Sequence, residues 1–283
     1  MLNKKLEKES VIAVVVTFNP KIELFNKVIN SLIKQVLKII IVDNGSSNIL
    51  NFEHIENEKI NLIRLHENTG IGTALNIGIR YAKKYRPNYI LALDQDTIIY
   101  ENAINKVLDS YNHLSEEIKG KVGIICLNHN IVADKNDFTP VKFAITSGNL
   151  ISEKVYNKIQ FREDFFIDQV DFEFDLNVIN GGYTILRYNK KLMDHIIGIK
   201  SDKGKNFEPI WRVYYIARNS TFLVTRYDFG FSAYISQLVH TYIRTLSQTG
   251  LKNIFKLSFF TAKGVVDGLM GKLGKVYFPN FIR

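Results

Sequence analysis

Short β-branched runs alternate with helix-like segments over the first half of the chain, and this alternation restricts the fold more than any other feature. Residues 11–18 are too few for a buried helix, which predicts a strand buried on both faces of a parallel sheet. Strands of the same character are predicted at residues 38–43, 60–65, 89–93 and 122–127. The segments between them predict helices at residues 22–36, from Gly70 onward and at residues 103–118. This order is typical of an α/β protein with a mostly parallel sheet flanked by helices.

The composition fits a globular protein of a reducing compartment, and we expect a cytoplasmic location. The 283 residues are 46% hydrophobic and 23% charged, which supplies enough apolar material for a substantial core. Cys126 is the single cysteine, so an intramolecular disulfide is impossible and a thiolate metal cluster is unsupported. The apolar run at residues 11–16 leads into no small-residue cleavage site, so neither a signal peptide nor a spanning helix is predicted.

Polar clusters follow three of the predicted strands. In open α/β sheets, ligands bind beyond the carboxyl ends of the strands. These ends carry Thr17-Phe18-Asn19, Asp43-Asn44-Gly45-Ser46 and Asp94-Gln95-Asp96. We therefore expect one crevice to gather all three clusters.

Asp94 and Asp96 are candidates for a metal site. They are two residues apart, so an extended backbone would point both side chains the same way. Mg²⁺ prefers oxygen ligands and typically takes one or two protein carboxylates, which leaves positions for substrate phosphates. Two aspartates after a strand are also common turn formers or helix caps, and Thr97 and the helix expected near Glu101 keep that alternative open.

Two further segments have both a functional and a purely structural interpretation. The cluster that begins at Asp43 either forms a tight turn or hydrogen-bonds a nucleobase edge. Gly70 and Gly72 either permit close approach of the backbone to a ligand, beside the Asn68 and Asn76 amides, or simply open a helix. A dehydrogenase would also carry an acid near position 43, but the first strand here ends without a glycine-rich turn, which argues against that class.

Acidic residues are concentrated at residues 165–176, where a loop is predicted to run into a helix. Asp168, Asp171 and Asp175 would share one face of that helix. Such a row usually faces solvent, and we adopt that interpretation for Asp175. His195 follows a strand predicted at residues 183–188, and a lone histidine is more often structural than a ligand.

Positive charge is concentrated toward the C-terminal end. Residues 231–283 contain seven Lys or Arg and one acid, Asp267, and therefore supply +6 of the formal charge of +9. The segment is also rich in Phe, Leu, Ile and Tyr, which favours contact with lipid headgroups over nucleic-acid binding. Its predicted helix has an apolar stripe at Tyr234, Leu238, Tyr242 and Leu246. The alternative is packing on the sheet of the first half of the chain or against a second subunit in a homodimer.

Taken in order, the polar clusters resemble motifs of the inverting GT-A glycosyltransferases of family 2, particularly bacterial rhamnosyltransferases and their galactofuranosyltransferase relatives. The first half of the series comprises Val16-Thr17-Phe18-Asn19-Pro20, Val42-Asp43-Asn44-Gly45-Ser46, residues 68–78 and Asp94-Gln95-Asp96. The second half comprises Thr146-Ser147-Gly148-Asn149, residues 166–173, His195 and Tyr214-Tyr215-Ile216-Ala217-Arg218-Asn219. Each motif alone is weak, whereas their order and spacing are specific, and together they span about residues 11–219.

The resemblance implies a GT-A fold, a Rossmann-like sheet that binds nucleotide-diphospho-sugars. The catalytic domain would occupy residues 1–220, and a basic amphipathic helical extension would occupy residues 221–283. Thr17, Asn19 and Asp43 would contact the nucleoside of the donor.

The resemblance also implies which residues surround the rest of the donor. Asn68, Gly70 and Asn76 would shape its phosphate side. Ser147 and Gly148 would lie beside the reacting sugar.

The same resemblance implies a metal site and a catalytic base. Asp94 would lie near the ribose and a Mn²⁺ or Mg²⁺ ion, and Asp96 and His195 would ligate that ion. Asp171 matches the base that takes a proton from the acceptor hydroxyl as the anomeric centre inverts. Asp168 is the second choice for that base. One departure is Asn177, where relatives commonly carry arginine, and this leaves any acceptor or structural role of that position in doubt.

The function implied is transfer of rhamnose from dTDP-rhamnose to a hydroxyl of a lipid-linked or growing cell-surface polysaccharide, such as cell wall or capsule. Galactofuranosyl or hexosyl transfer from a UDP-sugar is the alternative. The protein would act in the cytoplasm at the inner face of the membrane, in peripheral contact with it, and would not bind nucleic acid.

Two other classes of protein compete with this interpretation. A sugar-phosphate nucleotidyltransferase usually begins with a glycine- and arginine-rich loop, which residues 17–20 do not provide. A non-enzymatic membrane-peripheral module would leave the aspartate pair and the ordered strand ends unexplained.

Overall fold

The computed structural model of the chain describes residues 10–48, 57–130, 136–196, 199–200, 206–207 and 209–278. These residues form two compact units. The first takes its described residues from Met1–Thr69, Ala74–Gln160 and Asn177–Ile196, and the second from Gly70–Thr73, Phe161–Leu176 and Ile197–Arg283. This division follows the packing of the chain, and the expected domain boundary after residue 220 stays a prediction.

The strands of the first unit are numbered in chain order. They are β1 (Val11–Thr17), β2 (Lys38–Asp43), β3 (Ile60–Arg64), β4 (Tyr89–Asp94), β5 (Thr97–Ile99), β6 (Val122–Asn128), β7 (Phe138–Val141), β8 (Asn149–Ser152), β9 (Thr184–Lys191) and β10 (Met193–His195). Eight of them form one sheet in the order β3-β2-β1-β4-β8-β6-β9-β7, and β5 pairs separately with β10. The second unit contains the short antiparallel pair β11 (Ile199–Lys200) and β12 (Asn206–Phe207).

The large sheet is mostly parallel, as the strand and helix alternation predicts. β3, β2, β1 and β4 pair in parallel, as do β6 and β9. Only β8 and β7 run antiparallel to their neighbours within this sheet. Every residue of β1 is buried, in agreement with a strand covered on both faces.

Helices follow the strands at the predicted places. They are α1 (Ile22–Leu32), α2 (Ile71–Ala82), α3 (Ala103–Asn112), α4 (Glu116–Lys121), α5 (Glu153–Tyr156) and α6 (Val170–Asn180). Gly78 allows α2 to approach the sheet closely, because a Cβ at this position would overlap Val14 and come within 3.0 Å of Val42.

The helix predicted over residues 103–118 is wrong in its extent. Helix α3 ends at Asn112, and a separate helix, α4, begins at Glu116. The cause is local, because the Ser115 hydroxyl accepts a hydrogen bond from the Ile118 backbone N–H and thereby caps the second helix.

The second unit is mainly helical in its described part. It contains α7 (Arg212–Arg226), α8 (Phe231–Thr249) and α9 (Ile254–Leu269), with a 3₁₀ turn at Leu251–Asn253 between the last two. Tyr214, Tyr215, Phe260 and Phe278 form a buried apolar cluster in this unit. Among the helices that the structure describes, none is long and apolar enough to cross a membrane.

Candidate metal and donor site

The ends of β1, β2 and β4 lie side by side, as expected for a crevice at the carboxyl edge of the sheet. Thr17 pairs with Asp43 across β1 and β2. Val16, the residue before Thr17, pairs with Asp94 across β1 and β4. The three polar clusters therefore meet at one edge of the first unit.

Asp94, Asp96 and His195 converge at this edge. Asp94 ends β4, and the chain then turns through Gln95 and Asp96 into β5. The prediction of an extended backbone between the two aspartates is therefore wrong, although both carboxylates still lie near the same histidine. His195 Nε2 lies 3.7 Å from Asp94 Oδ2 and 3.4 Å from Asp96 Oδ1.

Backbone pairing brings His195 next to Asp96, although the two residues are 99 positions apart in the sequence. β5 and β10 are antiparallel, with Thr97 opposite His195. The Ile196 backbone N–H also donates to the Asp96 carbonyl oxygen at 3.1 Å. This pairing fixes the spacing between the histidine and the turn that carries Asp96.

The three side chains fit a divalent cation. One ligand atom from each of Asp94, Asp96 and His195 can be chosen so that all lie within 4.8 Å of one another. Among the described residues, Asp96 Oδ1 and His195 Nδ1 are buried polar atoms with no hydrogen-bond partner. Two carboxylates and an imidazole form a donor set suited to Mn²⁺, and to Mg²⁺ through the carboxylates.

The electrostatics of the cluster also favour a cation. Although 39% of the Asp94 side chain is exposed, burial of its carboxyl group and then the adjacent Asp96 raise its pKa to about 6, an effect partly offset by His195. Burial alone would lower the pKa of His195, but the two aspartates outweigh it and raise the pKa. Negative charge is therefore in excess at the cluster once both carboxyls ionise.

The sequence analysis assigns no role of their own to two residues near the cluster. Gln95 Oε1 accepts from the Thr17 hydroxyl at 2.9 Å and from the Phe18 backbone N–H at 2.7 Å, so the middle residue of the turn ties β4 to the end of β1. The His129 ring lies edge-on to His195 with 6.1 Å between centroids. Burial and then the neighbouring His195 lower the pKa of His129.

Ser147 and Gly148 abut the end of β4. The Ser147 hydroxyl oxygen accepts from the Asp94 backbone N–H at 2.9 Å and shares a 2.7 Å hydrogen bond with the Thr97 hydroxyl. Gly148 has a φ of 94°, and a Cβ there would lie 2.5 Å from Met193 Sδ. The structure thus places this pair beside Asp94, whereas its contact with a sugar stays a prediction.

The cluster that begins at Asp43 forms a tight turn, which is one of the two interpretations that the sequence allows. The buried Asp43 carboxylate accepts from both the backbone N–H and the hydroxyl of Ser46. Asn19 Oδ1 accepts from the Ser47 backbone N–H at 2.8 Å, which joins this turn to the end of β1. Asn44 Nδ2 donates to Asn68 Oδ1 at 3.2 Å. Nucleoside binding by Asp43, Asn19 and Thr17 stays a prediction.

Asn76 is buried on α2 and lines a cavity of about 270 Å³, together with Ile79, Arg80, Lys83, Tyr156, Ile159 and Gln160. Its predicted role on the phosphate side of the donor stays a prediction. Gly70 belongs to the second unit, with a φ of 94°. A Cβ at Gly70 would lie 2.7 Å from the Phe166 carbonyl oxygen. This close contact, together with the positive φ, requires glycine at position 70.

The acidic segment of the second unit differs from its prediction in two respects. Asp168 lies before α6, with a φ of 63°, so it does not share a helical face with Asp171. Asp175 is 1% exposed, so its expected position on a solvated face is wrong. A pattern of acids cannot distinguish a helix that faces solvent from one that packs inside a unit.

Asp168 and Asp171 have different environments. Both carboxylate oxygens of Asp168 accept from Arg212, at 2.5 Å from Nη2 and 3.2 Å from Nε. Asp171 lies partly exposed in the first turn of α6, where Oδ1 accepts from the Phe172 backbone N–H at 3.0 Å. Asp168 is thus engaged in a bidentate ion pair, whereas the Asp171 residue is partly exposed at the start of its helix.

A buried pair on α7 holds the loop before α6. Asn219 Nδ2 donates to the carbonyl oxygens of Phe165, Ile167 and Asp168. The fully buried Arg218 donates to the Phe165 carbonyl at 2.9 Å. These bonds hold a loop that includes positive φ angles at Phe166, Asp168 and Gln169, conformations that cost free energy in residues other than glycine.

Comparisons with known proteins agree with this architecture. Residues 12–122 match the profile of "Glycosyl transferase family 2". The chain is 31% identical over 288 aligned positions to the dTDP-rhamnosyl transferase RfbF of Shigella flexneri, covering 94% of this chain and 97% of that protein. The sheet, its Asp-Gln-Asp turn and these similarities define a glycosyltransferase. The chain belongs to glycosyl transferase family 2 and is similar to the rhamnosyltransferases within it.

A solved structure confirms the GT-A type of fold. The crystal structure of GalNAc-T7 with UDP, GalNAc and Mn²⁺ aligns with a TM-score of 0.57 over 78% of this chain. The two are 12% identical, and the chain spans about half of that protein (51%). At this identity the likeness shows the fold alone.

Proposed function

We propose that the protein transfers rhamnose from dTDP-rhamnose to a hydroxyl of a lipid-linked or growing cell-surface polysaccharide. The observation that carries the proposal is the similarity to a dTDP-rhamnosyl transferase, which extends over 94% of the chain. Membership of a glycosyltransferase family disfavours the nucleotidyltransferase and the non-enzymatic module.

In this proposal Asp96 and His195 ligate Mn²⁺ or Mg²⁺, and Asp94 lies near the ribose and the ion. When bound, the ion stabilises negative charge on the diphosphate leaving group. The orphaned Asp96 Oδ1 and the raised pKa of Asp94 support this assignment, because both features are relieved by a nearby cation.

The donor is held by residues at the carboxyl edge of the sheet and at the start of α2. Thr17, Asn19 and Asp43 contact the nucleoside in this proposal. The phosphates and the reacting sugar are bounded by Asn68, Gly70, Asn76, Ser147 and Gly148.

Asp171 is the proposed general base. It takes the proton of the acceptor hydroxyl while that oxygen attacks the anomeric carbon and the bond to the diphosphate breaks, which inverts the anomeric centre. The ion pair between Asp168 and Arg212 supports the choice, because both carboxylate oxygens of Asp168 already accept hydrogen bonds from the guanidinium.

The test is a panel of donors offered to the purified full chain with Mn²⁺. We expect the highest kcat/KM for hydrolysis or transfer with dTDP-rhamnose, at least about tenfold above UDP-galactofuranose and UDP-hexoses. Preference for a UDP-sugar would assign the protein to galactofuranosyl or hexosyl transfer instead. Absence of turnover with every donor, although dTDP binds, would contradict the proposed reaction.

A lipid-linked acceptor places the enzyme in the cytoplasm at the inner face of the membrane. Peripheral contact through residues 221–283 would bring the enzyme to that acceptor. A homodimer formed through the same residues is the competing account of this segment.

A further inference from the structure

Helix α8 presents an apolar row to solvent. Phe231, Ile235, Val239 and Ile243 follow one another at intervals of four, and each is at least 42% exposed. The adjacent row, predicted from the sequence as the apolar stripe, begins at Tyr234, which is 8% exposed and hydrogen-bonds Thr221. The two rows are one residue apart along the helix and form one broad apolar face, of which the Phe231 row is the exposed part.

Helix α9 and the turn before it continue this pattern. Their exposed apolar residues are Leu251, Phe255, Phe259, Val266 and Leu269, and the Phe255 side chain is 86% exposed. From Phe255 onward these residues recur at the spacing of one helical stripe. The other side of α9 is buried against α7, where Gly264 and Gly268 allow close contact.

Exposed apolar residues are concentrated in this part of the molecule. Of the sixteen exposed large apolar side chains in the described part of the chain, eleven lie in residues 231–277. Single exposed apolar residues are ordinary on protein surfaces, whereas a concentration of this kind marks an interaction surface.

The same segment exposes basic residues and no acid within its described part. Its one acid, Asp267, is 7% exposed and accepts hydrogen bonds from Tyr214 at 2.8 Å and Lys263 at 2.7 Å. Lys252 is exposed in the turn between Leu251 and Phe255, so a positive charge lies directly beside the apolar residues.

We propose that the outward rows of α8 and α9, here named the α8–α9 surface, bind an anionic lipid bilayer. The surface comprises Phe231, Ile235, Val239, Ile243, Leu251, Lys252, Phe255, Phe259, Val266 and Leu269. The apolar side chains enter the interfacial layer, and Lys252 and its basic neighbours meet lipid phosphates. The inference rests on the proposed function, because it names the partner that would bring the enzyme to a lipid-linked acceptor.

Charge selects the bilayer over a second copy of the chain. A twofold dimer would place the same surface on both partners, and therefore basic residues opposite basic residues with no exposed acid of the segment to pair with them. An anionic headgroup layer supplies the complementary charge. The absence of a membrane-crossing helix among the described residues agrees with contact at the interface.

The experiment is flotation of the full chain with vesicles of phosphatidylcholine alone or with 30% phosphatidylglycerol. We expect flotation only with the anionic vesicles, and release at 0.5 M NaCl because salt screens the attraction. Lys252→Gln should weaken partitioning about fivefold, whereas the matched change Lys34→Gln in the first unit should leave it unchanged.

A second pair of variants tests the apolar residues. Phe259 and Leu37 are each 49% exposed, so Phe259→Asp and Leu37→Asp introduce the same acid at equal exposure in the two units. We expect only Phe259→Asp to abolish flotation, with both variants keeping the parent thermal unfolding midpoint. If Phe259→Asp lowers the thermal unfolding midpoint, Phe255→Ser is tested in its place, because Phe255 is 86% exposed and its replacement should not disturb packing.

Donor hydrolysis, measured on the same samples without vesicles, separates this inference from the proposed function. Retained hydrolysis with no flotation would overturn the lipid surface and leave the enzyme assignment intact. Flotation with no hydrolysis would do the reverse. If Phe259→Asp instead converts a dimer to a monomer in sedimentation analysis while the parent does not float, the surface is a subunit interface and the proposal is wrong.

Discussion

At the residue scale, Asp96 and His195 illustrate how buried polar atoms indicate a missing partner. Asp96 Oδ1 and His195 Nδ1 are buried without hydrogen bonds among the described residues. Leaving such groups unpaired costs about 1–3 kcal/mol each. In the proposed site, a cation held at Asp96 Oδ1 would offset part of that cost and would tie the free energy of the site to metal binding.

We expect Asp96→Ala to lower transfer by about 10²-fold or more and to remove the metal dependence of dTDP binding, because the diphosphate charge is then poorly neutralised. His195→Ala should act in the same direction but less severely. Calorimetric titration with Mn²⁺ and dTDP measures both effects, with Glu101→Ala as the control at an exposed acid. Full activity of the parent protein in excess chelator would contradict the metal assignment.

The two candidate bases differ in their contacts, and their variants should differ accordingly. Asp171→Asn should leave donor binding nearly intact and lower kcat by about 10²-fold or more, since a positioned base is lost. Asp168→Asn should cost much less, because Asp168 is engaged by Arg212. Single-turnover kinetics with saturating donor measure the difference. A larger loss from Asp168→Asn would transfer the role of base to that residue.

At the element scale, the contact between α7 and α9 depends on two glycines spaced four apart. A Cβ at Gly264 would lie 2.5 Å from the Tyr214 carbonyl oxygen, and one at Gly268 would overlap the Arg218 carbonyl. The two helix backbones therefore approach to a distance that excludes any side chain. Arg218 and Asn219, which hold the loop before α6, lie on the same stretch of α7.

We expect Gly268→Ala to destabilise the protein by about 1–3 kcal/mol, because α9 must move away from α7. Gly120→Ala is the matched control, since Gly120 is also helical and a Cβ there meets nothing within 4 Å. It should be neutral or stabilise by up to about 1 kcal/mol. Urea unfolding of the two variants measures the difference, and equal stabilities would show that α9 can shift without cost.

At the scale of the whole molecule, protonation of Asp94 and His195 links folding stability to pH, and would link it to metal binding at the proposed site. The pKa of Asp94 is raised to about 6, against about 3.9 in an unfolded chain, and the pKa of His195 is also raised. Each group therefore binds more protons in the metal-free folded state than in the unfolded state over its own pH range. The stability from Asp94 is present at low pH and lost as the pH rises through about 6, whereas that from His195 is lost at higher pH, above the usual range of a histidine.

A metal ion competes with those protons, so the stabilisation it provides should grow with pH. We expect Mn²⁺ to raise the thermal unfolding midpoint little at pH 5 and substantially at pH 7. Differential scanning calorimetry with and without Mn²⁺ measures the increment, and Asp96→Ala should abolish it. An increment that is equal at both pH values would show that these groups do not release protons to the metal.

Sequence patterns alone predict the parallel strands of the large sheet and the polar residues at the strand ends, but not the antiparallel strands β7 and β8. These features are local: a β-branched run such as residues 11–17, or the aspartates after β4, is encoded within one short stretch of chain. Several of the family motifs coincide with these strand ends, so they too are encoded locally. The fold class and the Asp94–Asp96 candidate could therefore be predicted.

Contacts between residues distant in the sequence could not be predicted and follow from the folded structure. The pairing of β5 with β10 brings His195 to Asp96, and the Arg212 guanidinium occupies Asp168. Packing also buries Asp175 and leaves the Ile235 row of α8 exposed beside the predicted stripe. The two rows are adjacent on the helix and both are apolar, so local periodicity does not predict which of them packs inside the unit. The choice depends on the free energy of packing against α7 and α9, which no single stretch of sequence contains.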